Sequence, residues 1–255
     1  MATLLDVRSL KKRFGGLVVL EGVSFRVDQG DIFSIIGPNG AGKTTLFNIL
    51  SGIYEPTEGS MWINGELING LQMHDIARRG VGRTFQNVKL FGNMSVIENV
   101  MVGQHCRTRS GLWNVLMRTR HVQREEEDIM QVALAQLEFV GLGDSALLPA
   151  TSLPFGRQRL LEIARTLASR PRLLFLDEPA AGLNPRETTA LSELIRRIRE
   201  QGITILLVEH DMELVMDISD RIMVLNHGSK ICEGEPREVQ ENPEVITAYL
   251  GDDIQ

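Results

Sequence analysis

Two short runs of this sequence combine residue types that do chemistry together. Gly37-Pro38-Asn39-Gly40-Ala41-Gly42-Lys43-Thr44-Thr45 fits the pattern G-x-x-x-x-G-K-[ST], in which glycines let backbone amides converge on phosphate oxygens. A helix opening inside the run adds the partial positive charge of its amino end, and Lys43 adds a full charge for the β- and γ-phosphates. Thr44 offers a hydroxyl suited to magnesium. Such a loop predicts a nucleoside triphosphate as ligand. A plain glycine-rich turn with a solvated lysine would not require this set of fixed residue types between a strand and a helix.

The second run, Asp177-Glu178, follows the apolar stretch Leu173-Leu174-Phe175-Leu176. The acids therefore fall at the carboxyl end of a strand, where open α/β sheets bind ligands. Two acids at a strand end are also a common solvated feature. Beside a complete phosphate loop, however, an acid ending the neighbouring strand is what magnesium-nucleotide chemistry requires. Asp177 then serves Mg2+, directly or through a coordinated water. Glu178 points the other way and becomes the base that polarises an attacking water.

The elements that must position these residues read as follows. Leu4 to Val7, a break at Gly15-Gly16, Val23 to Val27 and a turn at Asp28-Gln29-Gly30 predict an antiparallel β layer, extended by Ser60 to Ile63 and the turn Asn64-Gly65. Ile32 to Ile36 is continuously apolar, as a strand covered on both faces of a parallel sheet must be. Ser95 with Glu98 forms a capping-box pattern that starts a helix near Val96. Ile129, Ala133, Leu134, Leu137 and Val140 recur at helical spacing, with Gly141 as the stop. Downstream come a helix from Gly156 to Ser169, a strand from Leu173 to Leu176, a helix from Arg186 to Arg199 and a strand from Ile203 to Val208, which is βαβ order. Asn184 caps the second of these helices and Pro185 occupies its first turn, with Gly202 beyond its end.

The expectation is a single domain in which residues 1–94 and 171–255 form a catalytic α/β core with its β layer, and residues 95–170 form a helical subdomain. The basic segment 107–124 is read as a surface elaboration of that subdomain.

Composition narrows the function. The chain has 255 residues, 43% hydrophobic and 24% charged, with a net charge of -6. Its basic residues are dispersed among acids, outside Arg107, Arg109, Arg118, Arg120 and Arg124, so no broad positive face for nucleic acid is expected. Apolar runs are too short to cross a bilayer, and nothing at the amino end reads as a secretion signal, which predicts a cytoplasmic location. Cys106 and Cys232 are too isolated for a disulfide framework or a zinc site.

With these motifs in order, the sequence resembles the nucleotide-binding subunit of ABC transporters across essentially its whole length. The resemblance implies the ABC ATPase fold: a P-loop NTPase α/β core with a mainly parallel sheet, an antiparallel β subdomain and a helical subdomain. Its cofactors are ATP and Mg2+. It assigns Gln86, in Thr84-Phe85-Gln86-Asn87, to the loop that senses magnesium and the attacking water and touches the membrane subunit. It makes His210, in Val208-Glu209-His210-Asp211, the switch that donates to the γ-phosphate. Ala180-Ala181-Gly182-Leu183-Asn184 resembles the loop coupling two subunits' sites, with Asn184 where an Asp is usual. Phe14 matches the aromatic platform for adenine; the alternative is packing within the β layer.

One motif departs from the family. The signature helix start, usually Leu-Ser-Gly-Gly-Gln, reads Leu153-Pro154-Phe155-Gly156-Arg157-Gln158. In the family this helix end faces the γ-phosphate held by the other subunit, which assigns Leu153, Gly156 and Arg157 to nucleotide binding. Pro154 lacks both the hydroxyl and an amide hydrogen, while Arg157 adds positive charge.

Within the family, the sequence looks like the larger of the two ATPase types serving branched-chain amino-acid importers. This rests on the Leu153 to Arg165 variant, Asp177 to Pro185, Val208 to Met212 and the ending from Asn242 to Gly251. The partners implied are a second, usually unlike, ATPase subunit, with a homodimer possible in isolation, and transmembrane permease subunits. An extracytoplasmic substrate-binding protein takes part indirectly, no nucleic acid is involved, and the location is peripheral on the cytoplasmic face of the inner membrane. Two alternatives share the phosphate loop: the ATPase of a lipid or lipopolysaccharide exporter, and a non-transport P-loop NTPase switch.

Overall fold

The computed structural model describes residues 2–104 and 120–250, with side chains from 126 onward in the helix that begins at 120 and up to 249 at the carboxyl end. It divides into two compact units, Met1–Arg83 with Arg172–Gln255, and Thr84–Pro171.

The first unit holds two sheets. β1 (Thr3–Phe14) and β2 (Leu17–Asp28) form a long antiparallel hairpin that turns at Gly15-Gly16. β4 (Glu58–Ile63) pairs with β1, and the short β5 (Glu66–Leu67) completes the order β2-β1-β4-β5. Asn64 and Gly65 take φ of 50° and 78°, as a tight two-residue hairpin turn demands. Leu5, Val7 and Leu10 on β1 and Val23, Phe25 and Val27 on β2 bury one face of this layer.

The second sheet is mainly parallel, in the order β10-β9-β3-β8-β7-β6. Its middle is β3 (Ile32–Ile36), β8 (Thr204–Val208) and β7 (Leu173–Asp177), in which every residue is buried. Covering on both faces is why these runs are continuously apolar. β6 (Val81–Arg83) pairs with β7, β9 (Arg221–Asn226) pairs with β3, and β10 (Ser229–Gly234) adds an antiparallel edge to β9. β8 lies between β3 and β7, pairing Val208 with both Ile35 and Asp177. The strand carrying the acids is thus next but one to the strand feeding the phosphate loop, not its neighbour. Nothing local in the sequence dictates which strand is inserted between two others.

Helices of this unit are α1 (Lys43–Leu50), α2 (Met73–Arg78), α6 (Pro185–Glu200), α7 (Met212–Ile218), α8 (Pro236–Gln240) and α9 (Pro243–Leu250). α6 starts on a complete capping box. The Asn184 side chain accepts from the amides of Arg186 at 3.0 Å and Glu187 at 3.1 Å, and Glu187 accepts from the Asn184 amide at 3.0 Å. Val239 of α8 and Val245 of α9 pack with Ile36, Ile222 and Val224, and Tyr249 lies against that cluster.

In the second unit, α3 (Val96–Val102), α4 (Arg120–Phe139) and α5 (Phe155–Ala168) pack on one another. Ser95 and Glu98 make the expected capping box. Ala133, Leu137 and Val140 supply the buried stripe of α4 and its end. Cys106 and most of the basic segment 107–124 lie outside the described residues; its last residues, from Arg120, open α4. The unit begins at Thr84, so it includes the stretch around Gln86. No helix among the described residues is long and apolar enough to cross a membrane.

Candidate functional site

The chemistry-bearing residues of the first unit gather at the carboxyl ends of its parallel strands. Gly37 follows β3, Asp177 ends β7 with Glu178 behind it, and Glu209 and His210 follow β8. The loop after β3 is shaped by two close approaches. A side chain on Gly37 would fall on the Leu225 carbonyl oxygen. Gly42, with φ of 102°, would press a side chain to 2.9 Å from Leu20 and 3.0 Å from the Val19 carbonyl. Gly42 offers the amino end of α1 no side-chain cap, so the amides of the first turn remain for a ligand.

Lys43 is 8% exposed, and its ammonium donates to the carbonyls of Gly37 and, at 3.0 Å, Pro38. Burial lowers its pKa, and the charge of Glu178 acts in the opposite direction. An ammonium held by the carbonyls of its own loop in a partly desolvated cradle fits an incoming polyanion. Pro38 is half-buried, Ala41 is buried, and Asn39 and Gly40 are exposed. Thr44 is exposed and Thr45 half-buried on the first turn of α1.

Asp177 is 2% exposed, and its Oδ2 accepts from Arg83 Nη2 at 2.9 Å. Thr44 and Asp177 are hard oxygen donors, the type that suits Mg2+. Glu178 occupies the left-handed region at φ 47°, unusual for a residue with a side chain, and its amide donates to the Val208 carbonyl at 2.9 Å. Backbone strain here re-aims the carboxylate relative to Asp177. The sequence expectation that the two acids point apart does not specify this conformation.

His210 is exposed, with Nδ1 4.0 Å from Glu178 and 3.8 Å from Glu209. Glu209 is fully buried and accepts from the amides of Ala180 at 2.7 Å and His210 at 3.0 Å. Desolvation raises its pKa, and these amides oppose the rise. Glu209 thereby ties the loop after Glu178 to the turn bearing His210. In the sequence Glu209 stands out only as part of a motif, because a buried carboxylate at a strand end looks like a solvated one.

Phe14, at the end of β1, is 43% exposed and meets Tyr54 edge-on, with ring centroids 5.4 Å apart. Lys12 lies 4.8 Å above the Phe14 ring and donates to the Glu55 carbonyl at 2.6 Å. Tyr54 is not legible in the sequence as a neighbour of Phe14 because it comes from another part of the chain. Lys12 is two residues away on the same strand, but the local sequence does not reveal that its ammonium lies over the ring.

In the second unit, Gln86 is exposed and its backbone carbonyl accepts from Arg159 Nη2 at 2.9 Å. Arg159 Nη1 also donates to the Phe85 carbonyl at 2.9 Å, and Arg165 donates to the Lys89 carbonyl at 2.6 Å. Glu162, fully buried between these two arginines, accepts from the Phe85 amide at 3.3 Å. α5 thus grips the Gln86 loop by its backbone through a buried ionic cluster. The amino end of α5 lacks a side-chain cap, since Pro154 has none to offer. Leu153 is buried, Gly156 is half-buried, and Arg157 extends to the Gly141 carbonyl at 3.4 Å.

These features agree with comparisons to known proteins. The family described as ABC transporter matches residues 20–181, and that described as branched-chain amino acid ATP-binding cassette transporter matches residues 229–254. The high-affinity branched-chain amino acid transport ATP-binding protein BraF of Pseudomonas aeruginosa is 50% identical over 250 residues, covering 98% of each chain. The Escherichia coli protein LivG, of the same description, is 48% identical over 98% of each chain. A crystal structure of the ADP conformation of MJ1267, an ATP-binding cassette of an ABC transporter, superposes with a TM-score of 0.86 at 32% identity, covering 98% of this chain and all of that one.

Proposed function

The chain belongs to the ABC transporter family, as an ATP-binding ATPase subunit of its branched-chain amino acid branch, and from that premise we propose that it couples Mg2+-dependent ATP hydrolysis to the import of branched-chain amino acids through separate permease subunits. The observation that carries the reading is the convergence of Lys43, Asp177, Glu178 and His210 at one sheet edge behind a phosphate loop.

The amides from Gly37 to Thr45 cradle the phosphates, and Lys43 exchanges its loop carbonyls for phosphate oxygens. Thr44 and Asp177 hold Mg2+, with Gln86 sensing it; the ion, when bound, neutralises charge on the phosphates. Glu178 orients and deprotonates the attacking water, and His210 donates to the γ-phosphate. Phe14 offers its exposed face to the adenine. Leu153, Gly156 and Arg157 present the open amino end of α5 to nucleotide on a second ATPase subunit, whose own site faces this chain in return. Because Pro154 removes two donors from that end, the two sites of an unlike pair differ in rate.

The complex sits on the cytoplasmic face of the inner membrane, with this subunit peripheral. An extracytoplasmic binding protein delivers substrate, and nucleic acid has no part. The match of residues 229–254 to the branched-chain family favours import over the exporter alternative. Reconstitution with the permease and partner ATPase in vesicles tests this: ATP should drive uptake of leucine, isoleucine or valine, and uptake of none of them would refute the substrate assignment.

A further inference from the structure

Arg83 is the last residue of β6, paired with Phe175 on β7 and two residues short of Asp177 in register. Its side chain is 9% exposed, and its two terminal nitrogens donate to two different elements. Nη2 donates to Asp177 Oδ2 at 2.9 Å and to Asn48 Oδ1 at 2.9 Å. Nη1 donates to the Phe47 carbonyl at 3.2 Å and to the Ser51 hydroxyl. Asn48, Phe47 and Ser51 belong to the carboxyl end of α1, whose first turn carries Lys43 and Thr44.

One rigid guanidinium therefore joins the strand end bearing Asp177 to the helix bearing Thr44. Those are the two proposed oxygen donors to magnesium, and they come from segments far apart in sequence. A planar fork with donors at fixed angles sets both the distance between two elements and the rotation of a carboxylate; a lysine ammonium cannot engage these acceptors in the same geometry. We infer that Arg83 is a positioning residue for the magnesium site, orienting Asp177 toward the metal by bracing it against α1. This rests on the reading of Thr44 and Asp177 as the magnesium-side donors.

The test is equilibrium binding of a fluorescent, non-hydrolysable ATP analogue to the full chain as Mg2+ is varied. Wild type should bind more tightly as Mg2+ rises; if it does not, the magnesium reading itself fails, and the inference with it. Arg83→Lys keeps the charge and loses the fork, so it should raise the Mg2+ needed for half the effect at least about tenfold, the scale of a misplaced group. Its affinity without metal should remain within about twofold of wild type. An unchanged Mg2+ requirement, or an equal loss of metal-free binding, would overturn the inference. In an Asp177→Asn background, Arg83→Lys should shift the requirement no further; the same shift there would show that Arg83 acts elsewhere and also overturn it. Should Arg83→Lys not fold, Asn48→Ala removes one acceptor of the fork and is expected to raise the requirement at least about twofold, with no rise counting against the inference.

Discussion

His210 Nδ1 and Glu178 Oε2 stand 4.0 Å apart across the ends of adjacent strands, joined through the Glu178 amide's hydrogen bond to the Val208 carbonyl. The proposed base and the proposed phosphate sensor are thus neighbours, so displacing one displaces the other. Glu178→Gln should retain ATP binding, accumulate as an ATP-bound dimer on gel filtration, and lose turnover by about a hundredfold or more. His210→Ala should cost a similar factor, and the double variant should be no slower than the worse single one by more than about threefold. Phosphate release measures all three; normal hydrolysis by Glu178→Gln would remove the assigned base.

Arg159 and Glu162 form a buried pair at 3.5 Å, with side chains 2% and 0% exposed, that grips the Gln86 loop. Burial raises the Glu162 pKa, countered by the Phe85 amide and both arginines. Removing Arg159 leaves buried Glu162 with only Arg165 and backbone amides to offset its charge and takes a donor from the Phe85 and Gln86 carbonyls, a loss of about 1–3 kcal/mol. Arg159→Ala should lower the denaturation midpoint accordingly and speed amide exchange between Phe85 and Lys89. Unchanged exchange there would mean that the loop is held by other contacts.

Asn184 stands where the family usually has Asp, and its role as cap of α6 explains why the exchange is tolerated: both side chains accept from the same amides. Asn184→Asp should change stability by no more than a few tenths of a kcal/mol, whereas Asn184→Ala should cost about 1 kcal/mol. Urea unfolding distinguishes the two, and equal losses would contradict a capping role.

The hydroxyl of Tyr249, on the carboxyl-terminal helix, is buried near the Gly37 amide, in a geometry short of a regular hydrogen bond. Burial pushes its pKa up from 10.0 to about 12. The folded-state value lies above that of the unfolded chain, so folding favours the neutral phenol. This contribution is whole below about pH 10 and is lost as pH rises toward 12, amounting to roughly 3 kcal/mol at most. Tyr249→Phe cannot ionise, and its urea midpoint should fall less steeply than that of wild type between about pH 9.5 and 11.5. Parallel curves would exclude the effect.

What could be read from the sequence was whatever is written locally. The strand before Gly37, the open helix after it, the cap at Asn184 and the capping box at Ser95 each depend on residues within a few positions of one another. Strand order does not, and the insertion of β8 between β3 and β7 emerges only from the assembled sheet. Buried charge is equally silent. Arg83, Arg159 and Glu209 read as ordinary polar residues until the fold encloses them and supplies partners from distant segments. The positive φ of Glu178 also lay beyond reach, since it is imposed by the pairing of its amide across the sheet and not by residue type.

Gly37 opens the phosphate loop, yet the atom that forbids a side chain there is the Leu225 carbonyl of β9. Exchanging this glycine for alanine would wedge two strands apart before any nucleotide arrived. Inactivity in such a variant would report damaged architecture, not a lost phosphate contact. In a mutational survey, the first glycine of the motif therefore belongs with the core of the protein, and the roles of ligand contacts must be learned from other residues of the loop, Lys43 among them.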